Sequence, residues 1–187
     1  MVCAAEEGAA YGFGDSGLGY NSTTMNAQPT ATGEQLADAL HILGVKFIMG
    51  GQSRSESLHK QPARLIAALA KSNESRLRLS LIPLFLEYPE FAVHVGAVAK
   101  NLNLPARLTL QCYYTAAVWL GQKYQPLKKP LPDHFSKELK LSPTDDPEEN
   151  LRLLAKRHQE LSGTYINWLG TYHHAAQRWF IHTRREK

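Results

Sequence analysis

Hydrophobic positions along this chain recur mostly at spacings of three and four, which puts side chains on one face of an α-helix. Leu36, Ala39, Leu40 and Leu43 form one such face over 32–43. Thr32 is placed to cap it, Glu34 sits in its first turn and Gly44 stops it. The run VKFIM at 45–49 is β-branched and aromatic enough to predict one short strand, ended by Gly50 and Gly51. Pro62 suits the first position of a helix to Lys71 with Leu65, Ile66, Leu69 and Ala70 buried. Ser72 or Asn73 is the expected cap of the next helix, which carries Leu77, Leu81, Leu84, Phe85 and Tyr88 and should bend at Pro83. Further helices are predicted from Pro89 to Leu102 and from Pro105 to about Lys123, with Asn103 in the turn between them.

Residues 124–147 contain five prolines, so the expectation there is a long loop. Asp146-Pro147-Glu148-Glu149 then combines an acidic cap, proline at the first helical position and an acidic first turn. Leu151, Leu154, His158, Leu161, Tyr165, Trp168, Tyr172, Ala175, Trp179 and His182 follow in unbroken alternation of three and four. This pattern predicts a single helix over 147–185, ~57 Å long at 1.5 Å per residue. A helix of that length outreaches a small domain, so part of its aromatic stripe should project and meet a partner. Tyr165, Trp168, Tyr172 and Trp179 are the interface candidates, and a homo-oligomer or a protein partner is the expected occupant.

Residues 1–33 hold few large aliphatic side chains and read as a disordered tail, with Met25 an alternative start. The rest, 34–187, reads as a single helical domain, so the fold class is all-α: a multi-helix bundle with a long C-terminal helix.

Composition narrows the function only by exclusion. A chain of 187 residues with 43% hydrophobic and 20% charged residues is neither collagen-like nor an acidic disordered chain. Its net charge of +4 is uneven: the first 33 residues have three acidic side chains and no lysine or arginine. The basic remainder is compatible with nucleic acid or an acidic protein. The only cysteines are Cys3 and Cys112, so a four-thiolate metal site is excluded and a reducing, cytoplasmic setting is expected. The opening residues show no secretory pattern and the longest apolar run, 81–86, is far too short to span a bilayer, so no membrane association is expected.

Candidate chemistry is sparse. His158, His173, His174 and His182 crowd the last helix, but Arg178 stands between His174 and His182 at helical spacing, and no metal or cofactor is expected. Cys112 lies mid-helix and reads as a buried structural thiol. Val95–Leu102 and Pro105–Tyr114 could form a helix-turn-helix, with Arg107 and Gln111 toward bases and Lys100 on phosphate. Arg184 and Arg185 extend that candidate nucleic-acid surface.

Residues 34–51, EQLADALHILGVKFIMGG, resemble the entry segment of small nucleotidyltransferases, in which a helix and strand lead to Gly-Gly. They are similar also to the entry of thiamine-diphosphate enzymes. The nucleotidyltransferase resemblance implies a following Gly-Ser and an Asp-x-Asp pair for Mg²⁺. Here Gln52-Ser53-Arg54 follows, and no two aspartates stand one residue apart. In size and helicity the chain resembles HEPN-type helical RNases, which implies an arginine that holds phosphate and a histidine that moves the proton. Arg152 and His158 have that spacing, as do Arg54 and His59. The leading expectation is a non-catalytic binding or regulatory protein acting through protein contacts. A metal-independent RNase built on Arg152 and His158 is the alternative.

Overall fold

In the computed structural model, residues 31–45, 58–124 and 130–185 are described, with side chains through 180. The described part is an all-α bundle without strands. The strand expected at 45–49 lies outside the described residues except for Val45, which is buried in the core.

Helix α1 (Gly33–Ile42) starts from a full capping box: Thr32 Oγ1 accepts from the Gln35 N–H and Gln35 Oε1 accepts from the Thr32 N–H. Gly44 ends it at φ +71°, the left-handed region that glycine enters without strain. A 3₁₀ turn (Leu58–Lys60) leads to α2 (Pro62–Lys71), with Pro62 at its first position. Helix α3 (Ser75–Leu79) begins from Glu74, one residue past the expected caps, and Ser72 Oγ accepts the Glu74 N–H at 3.1 Å.

The bend expected at Pro83 occurs instead at Ser80, between α3 and α4 (Leu81–Glu87). Pro83 is the third residue of α4, where a helix has no internal partner for an N–H, so the proline sacrifices no bond. After a 3₁₀ turn at Pro89–Phe91 comes α5 (Ala92–Lys100). Asn103 Oδ1 then accepts the Ala106 N–H at 3.1 Å and starts α6 (Leu104–Tyr124).

Helix α6 is the axis of the bundle. It is buried without interruption from Leu110 to Gly121, and α2, α4, α5, α7 and α8 all pack on it. Such a segment must be largely apolar all round, and in LQCYYTAAVWLG the polar groups of Gln111 and Tyr114 are spent on Glu138 and the Pro132 carbonyl. The Tyr114 ring stands edge-on to Phe85 at 4.9 Å, and its hydroxyl donates to the Pro132 carbonyl at 2.7 Å. Residues 130–146 form no helix, as expected, yet they are pinned. Phe135 packs on Tyr114, and Arg157 Nε donates to the Leu139 carbonyl at 2.9 Å.

Asp146 starts α7 (Pro147–Ser162) as expected, its side chain accepting the Glu148 N–H at 2.9 Å. The single helix expected over 147–185 is not formed. Gly163 takes φ +65°, ψ +17° and closes α7 with its N–H on the Gln159 carbonyl. A new helix, α8 (Trp168–Arg185), starts after Asn167, whose Oδ1 accepts the Gly170 N–H at 2.9 Å. The chain breaks because folding α8 back onto α7 and α6 buries Leu151, Leu154, Tyr172 and Ala175 together, which an extended helix would leave in water. Among the described residues no single helix is long and apolar enough to cross a membrane.

Candidate functional site

The helix break that the periodicity conceals also shapes the surface beside it. A cleft of about 630 Å³ opens between the α2–α3 turn, the start of α6 and the α7–α8 turn. That size lies within the range of ordinary ligand pockets.

Its floor is aromatic. His158 and Trp168 stack at 3.7 Å, and the Tyr113 ring stands edge-on to His158 at 5.9 Å. His158 is 4% exposed, and its Nδ1 lies 2.7 Å from the hydroxyl of fully buried Tyr172. Burial holds the imidazole down to about 4, so it is neutral at neutral pH. The neutral ring carries one N–H, and its tautomer sets which of Nδ1 and the Tyr172 hydroxyl donates. The Trp168 Nε1–H is shielded from solvent and has no hydrogen-bond partner.

The walls carry the charge. Arg78 Nη1 donates to the Ser72 carbonyl at 2.7 Å, and the guanidinium lies near Tyr113. Burial pushes the Tyr113 phenol up to about 12, with Arg78 opposing. Lys71 is exposed at the mouth. Among the described residues no aspartate or glutamate lines the cleft. Its rim is apolar and solvent-facing: Leu104 is 77% exposed, Ile166 47% and Leu161 42%. Beside them Tyr165 is 95% exposed.

The sequence-derived candidates separate on this frame. Of the aromatic stripe, Tyr165 is fully in solvent, Trp168 lines the cleft, and Tyr172 is wholly buried and therefore not an interface residue. Trp179 packs on the core, and its Nε1–H donates to Glu87 at 2.8 Å. Arg152 is not brought to His158. It is exposed, lies outside the cleft, and pairs with Glu148 and Glu149 on its own helix. Six residues apart on a helix, the two side chains point in different directions. Arg54 lies outside the described residues, and His59 sits in the first 3₁₀ turn.

The helix-turn-helix reading fails at both of its base-reading residues. The Arg107 guanidinium caps α5, donating to the carbonyls of Ala99, Lys100 and Leu102. Gln111 is 9% exposed and donates to Glu138 at 2.6 Å. Neither is free to reach a base edge. Lys100 remains exposed at the end of α5. Arg184 and Arg185 fall in the last turn of α8, beyond the described side chains. His173 bridges Tyr124 and Glu148, and among the described residues no group of three histidine, cysteine or carboxylate side chains is placed to hold a metal ion. Cys112 is fully buried, and burial pushes its thiol up to about 12. It is not a nucleophile.

Sequence reasoning missed Lys71, Arg78 and Tyr113. Nothing in their local pattern marks them, because they come from separate helices and meet only after the bundle closes. Comparison with protein-family models, with curated proteins and with solved structures finds no match for this chain.

Proposed function

We propose that this protein is a non-catalytic helical binding module that acts through protein–protein contacts made at the α7–α8 turn. One observation carries the reading. Leu104, Leu161, Tyr165 and Ile166 are large hydrophobic side chains left in water, and they gather at one end of the bundle around a single cleft. A folded chain with a well-filled core does not collect such residues in one place unless something covers them. A neutral, stacked histidine without its arginine argues for binding and not for cleavage.

The test is site-directed photocrosslinking in cells. A photoreactive phenylalanine analogue replaces Tyr165 in one variant and Lys156, exposed on α7, in another. The expected result is a discrete protein adduct, either a second copy of the chain or a partner, from position 165 alone. Identical adduct patterns from the two positions would refute the reading.

A further inference from the structure

The rim says that something docks, and the interior of the cleft says what chemistry it must have. The interior is built to receive negative charge. Arg78 and Lys71 are its two ionised side chains, and no carboxylate opposes them. Arg78 is held by the Ser72 carbonyl, so its guanidinium is oriented before anything binds. An anionic oxygen that enters the cleft meets both cations.

Two anionic partners could supply the oxygen, and the rim separates them. A nucleic-acid backbone is held by rows of exposed lysines and arginines. Among the described residues Lys71 is the only exposed cation on this cleft, and Leu104, Leu161 and Ile166 form its apolar edge. A peptide that alternates acidic and aliphatic side chains meets both surfaces at once.

Building on the docking reading above, we propose that the cleft receives an acidic, aliphatic segment of a partner protein. Its carboxylate sits against Arg78 and Lys71. Its apolar side chains cover Leu104, Leu161 and Ile166. Charge complementarity sets which segment enters, and the apolar rim supplies most of the buried area.

The experiment is selection of a fully randomised linear peptide library, displayed on phage, against the immobilised full chain. The winning peptides are then resynthesised and titrated by fluorescence anisotropy. The expected result is a consensus with aspartate or glutamate flanked by leucine, isoleucine or valine. Changing its acid to the matching amide should weaken binding about tenfold, the size of one charge-assisted hydrogen bond. Lys71→Glu should do the same without disturbing the fold, since Lys71 is exposed. Arg78→Gln should weaken binding further, and Ile166→Ser should weaken it through the rim.

A consensus without acidic residues, no enrichment at all, or binding untouched by Lys71→Glu would overturn the proposal. So would a labelled single-stranded oligonucleotide that binds at these residues in place of peptide. If the peptides fail while position 165 still crosslinks to a protein, the acidic-segment inference falls and the docking reading stands. If both fail, both fall.

Discussion

Acid should destabilise this protein in large part through His158, and the size of that contribution follows from where the side chain lies. In the folded state the ring is buried, stacked on Trp168 and engaged by the Tyr172 hydroxyl. It titrates at about 4, against 6.5 for an ordinary histidine. Between those values the unfolded chain binds a proton that the folded chain refuses, so stability falls as the pH falls. The contribution is fully present above 6.5, is lost progressively down to about 4, and does not change below that. The whole gap corresponds to about 3.4 kcal/mol, and about 2.5 kcal/mol of it is lost between about pH 7.5 and 4.5. That is a large share of the ~5–15 kcal/mol that holds a domain folded.

Carboxylates and other histidines titrate over the same range, so the assay must be differential. Urea denaturation is followed at several pH values for the wild type and for a double variant, His158→Phe with Tyr172→Phe. The double variant keeps an aromatic ring against Trp168 and leaves no buried hydroxyl unpaired. Its stability should fall with pH less than that of the wild type, by about 2.5 kcal/mol over the same interval. Equal pH dependence in the two proteins, or a His158 ring that titrates near 6.5 by NMR, would show the burial argument to be wrong.

Four further outcomes follow from the same geometry. Gly163→Ala should cost about 1 kcal/mol in denaturant, because the left-handed φ of +65° penalises a Cβ although space for it is open; an unchanged midpoint would mean that the turn is not held there. Asp146→Ala should cost about 1 kcal/mol by removing the cap on the Glu148 N–H, and Asn should rescue it. In a Cys3→Ser background, Cys112 should resist a thiol reagent at mildly alkaline pH until denaturant is added, since its thiol is fully buried and titrates at about 12; prompt labelling would contradict the packing of α6. Glu148, whose carboxyl is lowered chiefly by Lys123 with help from His173, ties α7 to α6 and α8. Glu148→Gln should destabilise by up to ~1 kcal/mol, less in high salt, and the stability this carboxylate lends should fade as the pH falls through its lowered titration point; a loss that is insensitive to salt would rule out the ion pairs as its source.

Much of the architecture was legible along the chain because its causes are local. Thr32 with Gln35, Pro62, and Asp146 with Pro147 start helices through hydrogen bonds and φ preferences that act within one turn. The apolar faces of α1 and α2 are visible as periodicity because each helix buries one side. Where the expectations failed, the deciding interaction was distant. The alternation from Leu151 to Trp179 is continuous in sequence, but it belongs to two helices that face each other. Only the burial gained by folding α8 onto α7 and α6 selects the break at Gly163. Periodicity reports that a face is apolar, and it carries no information about which neighbour covers that face.

The candidate site shows the same division more sharply. His158, Tyr165 and Trp168 stood out as members of a stripe, and they do reach the cleft or its edge. Arg107 and Gln111 looked available, yet one caps α5 and the other is buried against Glu138. Whether a polar side chain is free or spent depends on partners many residues away. Local propensity and capping therefore determined the helices of this protein. Long-range burial alone decided where the chain turns back, which aromatic residues face water, and that Arg78, Lys71 and Trp168 share one cleft.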